Sequence, residues 1–385
     1  FLDISTGSFF VAEGSLDYIN KLLVNFSPTE VLIPKKFKQN INQKISSNFY
    51  YYPVDDWLFS HDYATGELES QFKNKSLKGF GVDKMSAGII ASGIILYYLK
   101  QTQHDKLDHI LNIKRIDRDD YVWMDQFTIL NLEIFNSLNQ NGTSLLQVLN
   151  KTFTPIGSRM LRRWLAFPLM DKNKIEERQS IVQYLISNKS FLDDLSVLFK
   201  EIGDLERMVA KISTSKISPR ELVQFKNSIK TINSIKKISS NQKINKAFGF
   251  LIDELNECKV VISDIESQVN EDAPVLISKG GVIKSNFSKE LDEYRNITIS
   301  SEQILDNIKA REIKNTGITS LKISYNNVFG YYLEVRNKYK ENVPESWVRK
   351  QTLVSAERYI TEELKDIESK IINAKTNIIE LESKI

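Results

Sequence analysis

Acidic side chains near the start of the chain are the first candidates for chemistry. Asp3 lies in the run Leu-Asp-Ile-Ser-Thr-Gly that ends at Gly7. A carboxylate on an opening strand is typical of nucleases in which several acids hold two Mg²⁺ ions. Asp55 and Asp56 would have to supply the further acids, but no spacing fixes them near Asp3. The simpler interpretation is an aspartate that hydrogen-bonds its own turn.

Glycine and histidine patterns do not indicate a cofactor or a metal. No Gly-Lys pair occurs, so the nucleotide-binding pattern G-x-x-x-x-G-K-[ST] is absent. Gly79 and Gly81 lack the third glycine of a dinucleotide-binding turn. His104 and His109 are five residues apart, which does not place them on one helix face. We therefore interpret residues 104–109 as a solvated linker.

Basic side chains interleave with aromatic ones near the end of the chain. Between residues 318 and 358, seven Lys or Arg side chains outnumber four acidic ones, a surplus equal to the net charge of +3 of all 385 residues. The basic residues are Lys322, Arg336, Lys338, Lys340, Arg349, Lys350 and Arg358. Lys, Arg and amide side chains on a protruding turn suit contacts with nucleic-acid phosphates, which position a duplex without reading its bases. A solvated charged face is the alternative.

A hairpin between two long helices would hold this basic cluster. Alternation over 319–325, a turn at 326–330 and a return over 331–336 predict two antiparallel strands. A helix over 288–314 precedes the hairpin, and the apolar residues of 351–385 recur every three or four positions, which predicts a second helix about 50 Å long. This seam stops without a capping residue, so we expect the chain to be a piece of a larger protein.

The rest of the sequence predicts a multidomain, mainly α protein with an N-terminal α/β part. The N-terminal part has a hairpin around Thr6 and Gly7, a helix over 15–24 capped by Ser15, a strand over 31–34 and a helix over 85–100. From about residue 108 to 270 helical periodicity dominates, and Pro219 stands where a helix would start.

The composition indicates a globular protein in a reducing compartment. Hydrophobic residues make up 41% of the chain, and the pI of about 8.5 is only mildly basic. Cys258 is the single cysteine, which excludes an internal disulfide. The most apolar window, 87–99, is too short to span a bilayer. We therefore expect a cytoplasmic protein.

Several strings, in the same order along the chain, resemble the bacterial MutS mismatch-repair family. They are Phe1 to Gly7; Met124-Asp125 with Asn131-Leu132-Glu133; Thr154 to Leu165; Asp204-Leu205-Glu206-Arg207; Gly280 to Ile283; Glu290-Leu291-Asp292; Phe329-Gly330-Tyr331-Tyr332; and Gln351-Thr352-Leu353 with Ala356 to Tyr359. The sequence departs from the family at Leu130, where an Arg is usual, and at Val354-Ser355, which replaces a more polar pair. The ordered set is far more specific than any one string.

The resemblance implies a domain map. Residues 1–108 would be a connector domain with a ribonuclease-H-like fold, 109–288 continued at 355–385 a helical core with lever helices, and 289–354 a small clamp domain inserted in the core. A mismatch-reading domain would precede Phe1. An ATPase domain holding ATP and Mg²⁺ would follow Ile385. This chain itself would hold no cofactor, no metal and no catalytic residue, whereas the full-length protein would be a DNA-dependent ATPase.

The resemblance also implies contacts and partners. It assigns DNA-backbone contacts to the turn residues Asn326 and Asn327 and to the stretch 350–355. The predicted binding residues are Asn326, Asn327, Lys322, Lys350, Arg349 and Ser355. The expected partners are double-stranded DNA, mismatched for the full-length protein, a second MutS subunit in a homodimer, and MutL, in a cytoplasmic, nucleoid-associated protein without membrane contact.

The implied function is a nonspecific DNA-backbone clamp with levers that couple the ATP state of the ATPase domain to the grip on DNA. Three alternatives remain open from the sequence. One is a recombination-type homologue that lacks the mismatch domain. Another is a Mg²⁺-dependent, ribonuclease-H-like nuclease that uses Asp3. The third is a purely structural coiled-coil protein.

Overall fold

The computed structural model describes residues 1–39, 49–102, 106–240 and 244–385. The protein is mostly helical with small sheets, as predicted. It divides into two compact units, Phe1–Ile217 with Gln224–Ile262, and Ser218–Val223 with Ser263–Ile385. The predicted domain boundaries at 108, 288 and 354 remain predictions.

The first unit begins with two small sheets. Its strands are β1 Leu2–Asp3, β2 Ser8–Val11, β3 Glu30–Pro34, β4 Tyr50–Val54 and β5 Lys114–Arg115. The predicted hairpin is present, because β1 pairs with β2 in antiparallel register, while β5 pairs with β2 and β4 with β3 in parallel register. Strands β4 and β5 were not predicted. The sequence signal for β4 was the aromatic run that ends at Tyr52.

Helices fill most of the chain up to residue 268. They are α1 Leu16–Phe26, α2 His61–Phe72, α3 Ser86–Gln101, α4 Gln126–Asn131, α5 Leu145–Leu149, α6 Pro155–Ala166, α7 Lys172–Ser187, α8 Lys189–Glu201, α9 Leu205–Ser213, α10 Pro219–Ser240, α11 Lys246–Asp253 and α12 Lys259–Gln268. Ser15 caps α1 by accepting from the Tyr18 N–H at 3.4 Å, as predicted. Pro219 opens α10, also as predicted.

Two of the family-like strings meet in an ion-pair cluster of the first unit. The Arg159 guanidinium donates to both carboxylate oxygens of Asp204, at 2.8 and 2.6 Å, and its Nε donates to Glu206 at 2.9 Å. These bonds hold the pKa of Asp204 below its usual value. Because a planar guanidinium matches a carboxylate in this two-bond geometry, the cluster fixes the start of α9 against α6.

The predicted solvated linker at 104–109 is wrong at Leu107 and His109, which are buried, whereas Lys106 and Asp108 are exposed. His104 lies outside the described residues. His109 is only 8% exposed, and its Nε2 lies 2.7 Å from the carbonyl oxygen of Ile4. Leu107 and Ile110 belong to the core that includes Phe9. Burial of these apolar side chains fixes the segment against the core. The interpretation of 104–109 as a linker considered only its polar and charged residues.

The second unit is built on two long antiparallel helices, α13 Lys289–Thr316 and α14 Glu362–Lys384. Arg295 pairs with Glu382 and Arg311 with Glu363, so the start of α13 lies beside the end of α14. At 1.5 Å per residue they are about 42 and 35 Å long. Ser288 caps α13 by accepting from Leu291 N–H at 3.4 Å, close to the predicted start at 288.

A four-stranded sheet lies at the other end of this helix pair. Its strands are β6 Lys322–Asn326, β7 Gly330–Arg336, β8 Val348–Thr352 and β9 Ala356–Ile360, in the order β6-β7-β9-β8 with every neighbour antiparallel. The predicted hairpin corresponds to β6 and β7. The sheet packs on the helices through one apolar cluster, whose members include Leu305, Leu333, Val335, Tyr359, Leu364 and Ile367.

The predicted helix over 351–385 is wrong in its first eleven residues. Residues up to Ile360 form the end of β8, a loop over 353–355 and the whole of β9. Helix α14 begins only after Thr361, whose hydroxyl accepts from Leu364 N–H at 3.2 Å. β9 lies between two other strands and is buried at Ala356, Glu357, Tyr359 and Ile360. A strand buried on both faces lacks the alternation of apolar and polar residues that marks a half-exposed strand. The apolar residues of β9 therefore resembled a continuation of the helical seam.

The turn between β6 and β7 lies against α14. Gly330 has φ +72°, and a Cβ placed there would collide with the carboxylate of Glu368. Burial first, and then the carboxylate of Glu302, raise the pKa of Tyr331. The hairpin turn therefore folds back along the helix pair and has acidic neighbours on both helices.

At the opposite end of the pair, Glu382 organises the family-like Gly-Gly-Val-Ile segment. Its side chain has 0% exposure and accepts from the backbone N–H groups of Gly281, Val282 and Ile283, at 3.2 to 3.4 Å. It also accepts from Arg295 at 2.8 Å. One buried carboxylate thus joins α14, α13 and the segment that enters α13.

We predict that Glu382→Ala lowers the free energy of unfolding by about 3 kcal/mol, because it leaves a guanidinium and three amides without their acceptor. Urea denaturation measures the loss, and hydrogen exchange should accelerate at residues 281–283. Glu380→Ala, at an exposed position of the same helix, should change stability by less than about 0.5 kcal/mol. Equal stability of the two variants would contradict this role of Glu382.

We predict that Gly330→Ala destabilises the second unit for two separable reasons. The positive φ costs about 1–2 kcal/mol with any Cβ, and the Glu368 carboxylate, which is the far end of a flexible side chain, must also move aside at a smaller cost. Adding Glu368→Ala should relieve the collision but not the backbone strain. A double-mutant cycle measured by urea denaturation separates the two contributions to the free energy of unfolding. A Gly330→Ala protein as stable as the parent would contradict the strain assigned to the positive φ of this turn.

Candidate nucleic-acid interface

The strand register gathers the basic residues at one end of the sheet. Lys322 pairs with Glu334, Arg336 with Ala356, and Thr352 with Glu357, so the start of β6, the end of β7 and the β8–β9 loop share that end. We call it the basic end, comprising Lys322, Arg336, Asn337, Lys338, Lys350 and the loop 353–355. Lys350 lies at a bulge in β8 between Arg349 and Gln351.

The loop 353–355 is held in place through its backbone. Asn337 donates from its backbone N–H to Ser355 O at 3.1 Å and from its side chain to Val354 O at 2.9 Å. Leu353 N–H donates to Ala356 O at 2.8 Å. The Val354 side chain is fully exposed, at 100%. Backbone groups therefore order the loop, while the side chains of Val354 and Ser355 are exposed to solvent.

Some of the basic residues in the cluster are already neutralised. Lys340 and Arg349 both pair with Glu357, at 3.0 and 3.2 Å. Arg358 lies 3.4 Å from Glu334 and donates to Gln351 at 2.8 Å.

Four other cations have no carboxylate partner within the part of the chain that the structure describes. They are Lys322, Arg336, Lys338 and Lys350. All four are exposed. The Lys338 ammonium lies 4.5 Å from the ring centre of Tyr339. These are the charges of the cluster that stay available to an anion.

The predicted site residues do not all come together. Lys322, Lys350 and Ser355 lie at the basic end, and Arg349 lies nearby in its pair with Glu357. Asn326 and Asn327 lie at the other end of the sheet, about 20 Å away for six residues of extended β7. The Asn326 side-chain oxygen accepts from Val328 and Phe329 N–H, at 3.0 and 2.7 Å, so it closes its own turn.

The structure adds Asn337 to the residues that sequence reasoning singled out. Arg336 and Lys338 were counted in the basic cluster but not among the predicted contacts. The available signal was the run Arg-Asn-Lys directly after a strand, since strand ends on one side of a sheet meet in space.

Asp3 does not resemble a metal ligand. Its Oδ1 accepts from the backbone N–H and the hydroxyl of Ser5, at 2.9 and 2.7 Å, as the simpler interpretation predicted. Asp55 pairs with Lys35. Within residues 1–39, 49–102, 106–240 and 244–385, no three His, Cys, Asp or Glu side chains are grouped to hold a metal ion. No helix in these ranges is both long and apolar enough to cross a membrane.

Comparison with known proteins covers nearly the whole chain. The family model for MutS domain II matches residues 1–111, and that for MutS domain III matches residues 127–381. The DNA mismatch repair protein MutS of Christiangramia forsetii is 50% identical over 385 residues, and that of Flavobacterium johnsoniae is 49% identical over 387. The MutS of Bacteroides fragilis is 45% identical over 385 residues.

Each of these matches includes all of this chain but only part of the relative. The chain spans 44% of the length of each of the three relatives. Domain III alone accounts for more than half of the chain, and the matching relatives share one name. The chain therefore belongs to the MutS family of DNA mismatch repair proteins.

Proposed function

We propose that the four-stranded sheet is a clamp that grips the backbone of duplex DNA through its basic end. The observation that carries the proposal is a set of four exposed cations, gathered around an ordered loop, that have no carboxylate partner among the described residues. Phosphates attract such cations regardless of base sequence. The contact would therefore hold DNA without recognising a mismatch, which we assign to the domain expected before Phe1.

The turn end of the sheet is less suited to phosphates. Glu302 and Glu368 approach Tyr331 from α13 and α14, so two carboxylates would face a phosphate placed there. The Asn326 oxygen is already used within the turn. We therefore propose that the main contacts with DNA come from Lys322, Lys350 and Ser355. Asn326 and Asn327 would contribute less.

The helices α13 and α14 are proposed to serve as levers for this clamp. They bury a shared apolar seam, and ion pairs join them near both ends. A pair fixed in this way moves as one rigid element. In the full-length protein, such a pair would transmit the ATP state of the expected ATPase domain to the sheet.

The remaining assignments follow from family membership. Residues 1–108 are proposed as a connector with a ribonuclease-H-like fold. The full-length protein would act as a DNA-dependent ATPase with ATP and Mg²⁺ outside this chain, as a homodimer that works with MutL. This chain by itself is proposed to have no catalytic activity and to be nucleoid-associated only through DNA.

We predict weak, strongly salt-dependent binding to duplex DNA with no preference for a mismatch. If about three cations contact phosphates, log affinity falls with log salt at a slope of about −2.7, which is a loss of roughly 40-fold between 50 and 200 mM. Fluorescence anisotropy with matched and mismatched duplexes measures both features. Affinity that does not change with salt, or a clear mismatch preference, would contradict the proposed backbone grip.

Arg336→Gln should weaken binding and make the salt slope shallower by about one. Lys370→Gln removes the same charge from an exposed position on α14 and should leave the slope unchanged. The variants Ser355→Ala and Asn327→Ala compare the contributions of the two ends of the sheet to DNA binding. A larger loss of affinity in Asn327→Ala than in Ser355→Ala would indicate that the turn end makes the contact with DNA.

A further inference from the structure

Glu357 is an acidic residue placed among the cations of the proposed clamp. It lies in β9 opposite Val335 of β7 and Thr352 of β8, and it is only 2% exposed. By charge alone it should repel phosphates and weaken DNA binding. Its contacts indicate the opposite effect.

The Glu357 carboxylate holds three groups from different parts of the sheet. Its Oε1 accepts from Lys340 Nζ at 3.0 Å and from Arg349 Nη1 at 3.2 Å, while its Oε2 accepts from the Tyr359 hydroxyl. The hydrogen bond from Tyr359, followed by that from Lys340, lowers the pKa of Glu357. Burial raises the pKa of Tyr359 to about 12. The group is thus a stable buried anion at neutral pH.

Its two cationic partners belong to the segments that border the basic end. Lys340 lies in the short 3-10 helix Asn337–Asn342, which includes Asn337 and Lys338. Arg349 lies in β8 directly before Lys350. The loop 353–355 follows directly after β8 and is bonded to Asn337. Without Glu357, the side chains of Lys340 and Arg349 would no longer fix their segments. Lys338 and Lys350 would then not be held in a fixed position relative to each other.

We propose that Glu357 is a positioning residue for phosphate binding, whose buried carboxylate strengthens the grip on DNA because it fixes both segments that border the basic end. This inference rests on the proposed function. It differs from a simple charge effect in sign, because removal of an acid next to DNA would otherwise increase affinity.

The test is Glu357→Gln in salt-titrated binding of duplex DNA. We expect affinity to fall about threefold to tenfold at 100 mM salt, with a slope shallower by about one, as for the loss of one phosphate contact. Glu341→Gln removes an exposed acid from the same 337–342 segment and should raise affinity slightly. Circular dichroism and urea denaturation establish that each variant is folded.

Equal or tighter binding by a folded Glu357→Gln protein would overturn the inference. If that variant does not fold, Glu357→Asp decides, because it keeps the charge but is one methylene too short to reach both cations. Lower affinity and a shallower slope at unchanged net charge support the positioning role, and unchanged binding overturns it. If the parent protein does not bind DNA with a salt-dependent affinity, the proposed function itself fails.

Discussion

The apolar seam between α13 and α14 is the interaction on which the rest of the second unit depends. Leu305 and Ile308 of α13 and Leu364, Ile367 and Ile371 of α14 are all buried in one cluster. The inner face of the sheet closes on the same cluster. An isolated hairpin is marginal in water, whereas each large side chain buried here contributes about 1.5–3 kcal/mol. The sheet is therefore stable because the helices give it a surface to cover.

The same architecture separates charge by position. The basic cluster of the sequence divides into cations that stabilise the sheet and cations that stay free in solvent. Arg358 and Arg349 belong to the first group, whereas Arg336 and Lys350 belong to the second. Net charge over a segment gives the sum of both groups. Only the register of the strands, which decides which acid faces which base, shows the difference.

Local signals allowed much of the fold to be predicted from the sequence. Ser15, Ser288 and Pro219 mark helix starts because capping and first-turn preferences act within a few residues. The hairpin of β6 and β7 followed from alternation on either side of a turn. The turn chemistry of Asp3 likewise involves only residues near it in sequence.

Features that depend on distant partners were not predictable in the same way. β9 pairs with β7, and β8 pairs only with β9 among the described strands, while residues 337–347, which include the 3-10 helix Asn337–Asn342, separate β7 from β8. The turn containing Asn327 and the loop containing Ser355 each look like a protruding tip, and only the register places them at opposite ends of the sheet. Helical periodicity also gave no indication that Val148 and Trp164 would be 56% and 42% exposed.

The bulge at Lys350 has a consequence for how copies of the protein behave side by side. β8 is an edge strand, and an unbroken edge offers a row of free amide and carbonyl groups to a strand from another molecule. One extra residue interrupts that row, and its ammonium group makes close approach of a second basic sheet unfavourable. Molecules that lie side by side along one DNA should therefore not join into a continuous intermolecular sheet through their β8 edges.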